Sequence, residues 1–179
     1  MDSDEALMQR VQRGDEAAFE ALFHRYRSRL YGFLLRRVGE APADDLFQET
    51  WLRVVRYRDR FDPRRRFSTW LFQIANNLAR DLGRRSAVRS RARGELILQA
   101  ERGEPDARRV GESLDQRLDV RRRVDSLPER LREVLLLRYY HQMAERDIAR
   151  IVGIPPGTVK SRLHTAIRRL REEETEDAS

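Results

Sequence analysis

The sequence predicts an all-α protein: two small helical domains, a four-helix N-terminal bundle and a C-terminal helix-turn-helix domain, joined by a flexible linker. Three observations predict it. Apolar residues recur at spacings of three and four along most of the chain, the period of a helix buried on one side. No stretch alternates apolar and polar residues between turn signals, as a half-buried strand does. The helical period lapses in the middle of the chain and then returns. The length of 179 residues fits one domain or two small ones, on a prior of about 100–200 residues per domain. Hydrophobic residues make up 40% and charged ones 37%, which supplies small cores but not one deep core.

The elements follow in order. Ser3 suits the cap of a short first helix that ends near Gly14, and Asp15 then caps a long second one. Phe19, Leu22, Phe23, Tyr26, Leu30, Phe33, Leu34 and Val38 form its apolar stripe. Gly39 and Pro42 punctuate, and a third helix is expected over about 43–57, with Leu46, Phe47, Trp51, Val54 and Val55 on its apolar side. After the loop "RDRFDPRRRF", Ser68 caps a fourth helix that Gly83 stops; its buried face is Trp70, Leu71, Ile74, Ala75, Leu78 and Leu82. These helices make one bundle over residues 1–85. Residues 86–111 are charged, glycine-punctuated and weakly periodic, and read as the linker. A second domain spans 112–172. Leu114, Leu118 and Val124 mark its first helix, and "SLPERLREVLLLRYYHQ" the next, with Pro128 in the first turn, where its missing N–H costs little. The segment 173–179 is acidic and read as a disordered tail.

Charge narrows the partners. Net charge is +7 with pI about 10.6, which favours a polyanion, nucleic acid before an anionic membrane surface. Lys160 is the only lysine, so arginine supplies nearly all the positive charge. Without cysteine there is no disulfide, thiolate metal site or redox switch of the chain's own. No basic segment followed by an apolar run opens the sequence, and no apolar stretch is long enough for a bilayer. A cytoplasmic protein with no membrane insertion is expected. No glycine-rich phosphate loop, ligand cluster or nucleophile–base pairing stands out. His24, His141 and His164 are scattered, so no enzyme, cofactor or metal is expected.

The segment "ERDIARIVGIPPGTVKSRLHTAIRRLR" carries the strongest functional signal. Ala149 is small enough to let a second helix pass close by, and Gly153, four residues on, gives the freedom of a tight turn. Pro155 and Pro156 cannot extend the old helix but can begin a new one. Val159, Leu163, Ile167 and Leu170 give the new helix its inward stripe. This is the spacing of a helix-turn-helix, whose second helix docks its N-terminal residues at base edges. The outward face carries Thr158, Lys160, Ser161, Arg162, His164, Thr165, Arg168, Arg169 and Arg171, and no carboxylate interrupts 155–171. Lysine and arginine donate to guanine or phosphate, and hydroxyls serve several bases. An ordinary solvated helix mixes acids among its bases, as "PERLRE" does here.

"LPERLREVLLLRYYHQMAERDIARIVGIPPGTVKSRLHTAIRRLR" closely resembles the C-terminal domain of the extracytoplasmic-function (ECF) sigma factors of bacterial RNA polymerase. "DDLFQETWLRVVR" and "FDPRRRFSTWLFQIANNLARDLGRR" resemble the N-terminal domain of the same family. The order of parts agrees, and the resemblance covers about 5–171.

The resemblance implies site roles. Asp45, Gln48, Glu49 and Leu52 lie at spacings of three and four, on a face turned from the core stripe. In the family this face grips a coiled coil of the polymerase's largest subunit; otherwise it is a solvated acidic face. The fourth helix and the loop before it correspond to the part that opens and reads the −10 element. That task needs flat surfaces for unstacked bases and cations for the strand. Phe61 and Phe67 flank Arg64, Arg65 and Arg66; Asn76, Asn77 and Arg80 are expected on the polar side of the helix, extended by Arg84 and Arg85. Phe61, Asn77 and Arg80 align with family positions that contact the separated strand. Phe67, Trp70 and Trp51 also suit the core. The −35 contacts of the family fall on Lys160, Ser161, His164 and Thr165. One departure is Ala144, which stands where the family usually has a hydroxyl cap, so this helix is expected to start later or to be less stable by about 1 kcal/mol.

The expected function is therefore a sigma factor that binds core RNA polymerase and directs promoter-specific initiation through the −35 and −10 elements. An anti-sigma factor is the expected regulatory partner. The alternative, a free-standing helix-turn-helix regulator, explains residues 128–171 but leaves the first bundle without a role.

Overall fold

The computed structural model describes residues 2–92 and 122–176, with side chains over 2–89 and 122–172. Among the described residues the regular structure is helical, without a strand. The chain divides into two compact units, as the lapse in periodicity predicts. Most of the expected linker, and the helix expected around Leu114 and Leu118, fall outside the described residues.

In the N-terminal unit, α1 spans Asp4–Gln12. Ser3 Oγ caps it by accepting from the Ala6 amide at 3.1 Å, and Asp4 and Glu5 lie at the positive end of its dipole. Gly14 closes the turn at φ +87°, a conformation that favours glycine. α2 spans Glu16–Val38. Its cap is Asp15, whose Oδ1 accepts from Ala18 N at 3.1 Å. That amide and the Arg10 side chain hold the Asp15 carboxyl below its ordinary range. Leu22, Leu30, Phe33 and Leu34 are fully buried, each contributing roughly 1.5–3 kcal/mol of apolar burial. Phe33 meets Phe72 edge-on at 5.3 Å.

α3 spans Glu40–Arg56. It starts earlier than expected because Pro42 fits its first turn, where no amide donor is needed. Trp51 is buried, at 5.7 Å from Phe19 and 5.1 Å from Phe23, so its place is the core. A 3-10 turn, Arg58–Arg60, leads into the loop. α4 then spans Phe67–Ala92, and two expectations are corrected. Ser68 lies inside the first turn and is not the cap. Gly83 does not stop the helix: a glycine costs about 1 kcal/mol in a helix, too little to end one with full turns on both sides. Residues 86–92 therefore belong to α4, although they were expected in the linker.

In the C-terminal unit, residues 122–126 are helical (α5). α6 spans Glu129–Leu135 and widens into a π turn at Leu136–Tyr140. α7 spans Glu145–Val152 and α8 Pro156–Glu176. Val124, Leu127, Leu131, Leu135, Leu136 and Ala166 form a core cluster, with Ile167 and Leu170 packed against it. α8 runs to Glu176, so the first part of the expected disordered tail is helical.

Ala144 is the N-cap of α7, in extended conformation with no side-chain hydrogen bond. Its backbone already has cap geometry, so Ala144→Ser should stabilise this unit by about 1 kcal/mol. A urea-unfolding midpoint that does not rise would show that the first amides of α7 are already satisfied.

Candidate nucleic-acid interface

Three surfaces gather the expected functional residues. The first is the start of α8. α7 ends at Gly153, which adopts the left-handed conformation at φ 75° and donates to Ala149 O at 2.8 Å. Pro155 then starts the next turn: its carbonyl accepts from Thr158 N at 3.0 Å and Val159 N at 3.2 Å. This glycine-and-proline turn separates α8 from α7, and the first two turns of α8 are exposed on one side. Lys160, Ser161 and His164 are exposed there, with Thr158 and Thr165 half-buried beside them. The Ser161 hydroxyl donates to Thr158 O and the Thr165 hydroxyl to Ser161 O, each at 3.0 Å. Both oxygens keep lone pairs for a base-edge donor. Arg168 lies further along, 3.6 Å from Glu172.

Arg162 is corrected. It does not belong to the outward face, because its guanidinium donates to the buried Glu133 of α6 at 3.2 Å. Position 162 follows Val159 by three and precedes Ala166 by four, so it borders the inward row. Sequence reading missed Glu133, which follows Arg132 and opens the apolar run "VLLL"; a carboxylate directly before such a run was the available signal.

The second surface is the loop before α4 with the polar side of that helix. Arg64, Arg65 and Arg66 are exposed at the loop tip. Asp62 organises the tip: its Oδ1 accepts from both the Arg64 amide and Nε at 3.0 Å. The Arg64 side chain and amide hold the Asp62 carboxyl below its ordinary range, so it stays ionised near neutral pH and offsets one of the three arginines. Phe61 is corrected from an open stacking platform to an anchor. It is 3% exposed and packs on Phe67 at 6.0 Å and Trp70 at 5.3 Å. Phe67 is core and Trp70 half-buried.

On α4, Asn77 is exposed and Arg80 half-buried, and Arg84 and Arg85 are exposed further along, with Arg84 paired to Asp81. Asn76 is corrected: it is fully buried, and its Oδ1 accepts from Arg37 at 3.3 Å. The buried face keeps Leu71, Ala75 and Leu78, as expected, and widens to take in Phe72, Asn76 and Ala79, while Trp70, Ile74 and Leu82 are half-buried at its edge.

The third surface is on α3. Asp45 and Gln48 are exposed, and Glu49 is tied to Arg53 at 2.7 Å. Leu52 is 58% exposed, with Val55 beside it at 39%. Leu52 and Val55 thus open a small apolar patch beside carboxylates on this helix. Among the described residues no helix is long and apolar enough to cross a membrane, and no group of His, Asp and Glu is placed to hold a metal ion.

The two units thus define a transcription factor of the DNA-reading class, with a helix-turn-helix in one unit and an arginine-tipped loop on a bundle in the other. Residues 22–93 match the Sigma-70 region 2 family and residues 117–170 match Sigma-70, region 4. The ECF RNA polymerase sigma factor SigW of Bacillus subtilis is 30% identical over 177 residues, covering 93% of this chain and 94% of its own length. The ECF RNA polymerase sigma-E factor of Haemophilus influenzae is 34% identical over 174 residues, covering 92% and 91%. Among solved structures, CnrH in complex with the cytosolic domain of CnrY matches with TM-score 0.72 at 26% identity, over 98% of this chain and 99% of that one. The chain belongs to the ECF sigma factors of RNA polymerase: it is a transcription-initiation factor and not an enzyme. The bundle that a free-standing regulator leaves without a role is its region 2.

Proposed function

We propose a division of labour among the three surfaces. The α3 face of Asp45, Gln48, Glu49 and Leu52 holds core RNA polymerase, since an apolar centre ringed by acids and an amide suits a basic amphipathic partner helix. Lys160, Ser161, His164 and Thr165 read the duplex −35 element, with Thr158 and Arg168 at its phosphates. Arg64, Arg65 and Arg66, with Asn77, Arg80, Arg84 and Arg85, take the separated −10 strand. Asn76, Phe61 and Arg162 support these surfaces from within. Joining both DNA contacts through one polymerase makes the second nearly intramolecular, and capture of the open strand draws the melting equilibrium forward. Residues 1–85, 86–111 and 112–172 remain the functional division, with α4 running past its first boundary.

The observation that carries this reading is the exposed, acid-free start of α8 in one unit, paired with an arginine-tipped loop in the other. Core polymerase with this protein should initiate run-off transcription at a matched promoter, and core alone should not. The double variant Lys160→Ala, Ser161→Ala should lose discrimination at the −35 element, by about 1–3 kcal/mol per specific contact, with core affinity unchanged. An equal fall in core affinity would refute the division.

CnrH, to which this chain is similar, was solved in complex with the cytosolic domain of CnrY. A regulatory partner covering the α3 face or α8 is therefore part of the proposal. With no cysteine in the chain, any thiol-based sensing belongs to that partner. The site of action is the cytoplasm, where RNA polymerase works.

A further inference from the structure

We propose that Gln12 and Glu5, both on α1, are positioning residues for the loop that captures the separated strand. The Gln12 side-chain nitrogen donates to Arg58 O at 2.9 Å and to Phe61 O at 3.0 Å. The Glu5 carboxylate accepts from the Phe67 amide at 3.0 Å. The first two bonds fasten the start of the loop and the third fastens its end. Their partners lie 46, 49 and 62 residues away in sequence, so neighbouring residues do not supply this fixation.

Glu5, Met8 and Gln12 fall at spacings of three and four and share one side of α1. Met8 is fully buried between the two polar ends. Glu5 and Gln12 stand about 10 Å apart along the axis, two turns of helix. α1 is itself held on α2: Asp4 pairs with Arg25 at 2.7 Å and accepts from the Tyr26 hydroxyl. The load path thus runs from the α2 core through α1 to both ends of the loop, with the exposed arginine tip between them.

This arrangement has a functional consequence. A loop fixed at both ends has fewer conformations to lose when it binds, so the cations meet the strand already in place. The carboxylate at the Phe67 amide also suits the positive end of the α4 dipole. The proposed polymerase face lies on α3 and touches neither residue. α1 therefore tunes strand capture separately from polymerase binding.

The inference rests on the reading that this loop takes the open −10 strand. The test uses holoenzyme assembled from core polymerase and the full chain. It measures affinity for a fluorescent single-stranded −10 oligonucleotide, affinity for core, and the thermal midpoint of the free protein. Gln12→Glu keeps shape but loses both donors and sets a carboxylate against two carbonyls. Glu5→Ala removes the acceptor, whereas Glu5→Gln retains a carbonyl oxygen there. Gln12→Glu and Glu5→Ala should each weaken strand capture about tenfold, as loss of one or two hydrogen bonds implies. Core affinity should stay within about twofold, and Glu5→Gln should capture nearly as wild type. Unchanged capture in Gln12→Glu and Glu5→Ala overturns the inference, as does a parallel fall in core affinity or failure of Glu5→Gln to rescue. If wild-type holoenzyme itself ignores the oligonucleotide, the loop assignment fails and takes the inference with it.

Discussion

Leu52→Arg should lower affinity for core RNA polymerase about a hundredfold, equivalent to about 2.7 kcal/mol. Leu52 is 58% exposed, so the substitution removes little from the bundle core and the thermal midpoint should hold. The loss arises at the interface. An apolar residue at the centre of a contact can carry more than about 2 kcal/mol alone. A guanidinium in its place meets the basic partner that Asp45 and Glu49 are suited to hold, and like charges brought together without water are strongly disfavoured. Titration of labelled core polymerase reads the effect, and binding of −35 duplex by the holoenzyme at saturating core serves as the control. Full affinity in the variant would remove α3 from the polymerase contact and leave its exposed leucine unexplained.

Glu133→Ala should destabilise the C-terminal unit by about 2–3 kcal/mol. The Glu133 side chain is only 3% exposed, while Arg162, at 3.2 Å, is 23% exposed. Breaking a wholly buried pair costs about 3–5 kcal/mol, since it strands a charge. Here Arg162 can turn partly to water, which lowers the figure. Glu133→Gln keeps an acceptor for one arginine N–H and should cost less. Urea unfolding gives the stability. Binding of −35 duplex should fall with it, because the pair ties α6 to the half of α8 that carries Lys160, Ser161 and His164. Wild-type stability in Glu133→Ala would mean that apolar packing alone sets the position of α8.

The parts legible in the sequence were those with local causes. Ser3 and Asp15 cap helices because a short polar side chain next to an amphipathic run has one good use. Gly153 and the paired prolines mark the turn before α8 because few other residues tolerate those dihedral angles. The misread parts depend on partners distant in the chain. Asn76 and Asn77 are chemically identical neighbours, and Asn76 is the one on the packed side of α4, where Arg37 of α2 donates to it. Phe61 looked open because the rings that cover it come from the start of α4. Arg162 looked like one more outward arginine until Glu133 was placed under it. Gln12 and Glu5 gave no signal, because the groups they hold are backbone atoms of a loop 46 to 62 residues away. Gly83 misled for the opposite reason: a local preference of about 1 kcal/mol was given the weight of a boundary.

The unbroken course of α4 through Gly83 makes the helix a ruler. Asn77 and Arg85 are carried on one rod, eight residues apart, a rise of about 12 Å. If Asn77 meets a base and Arg85 a phosphate, as proposed, helical pitch sets the interval between those two contacts.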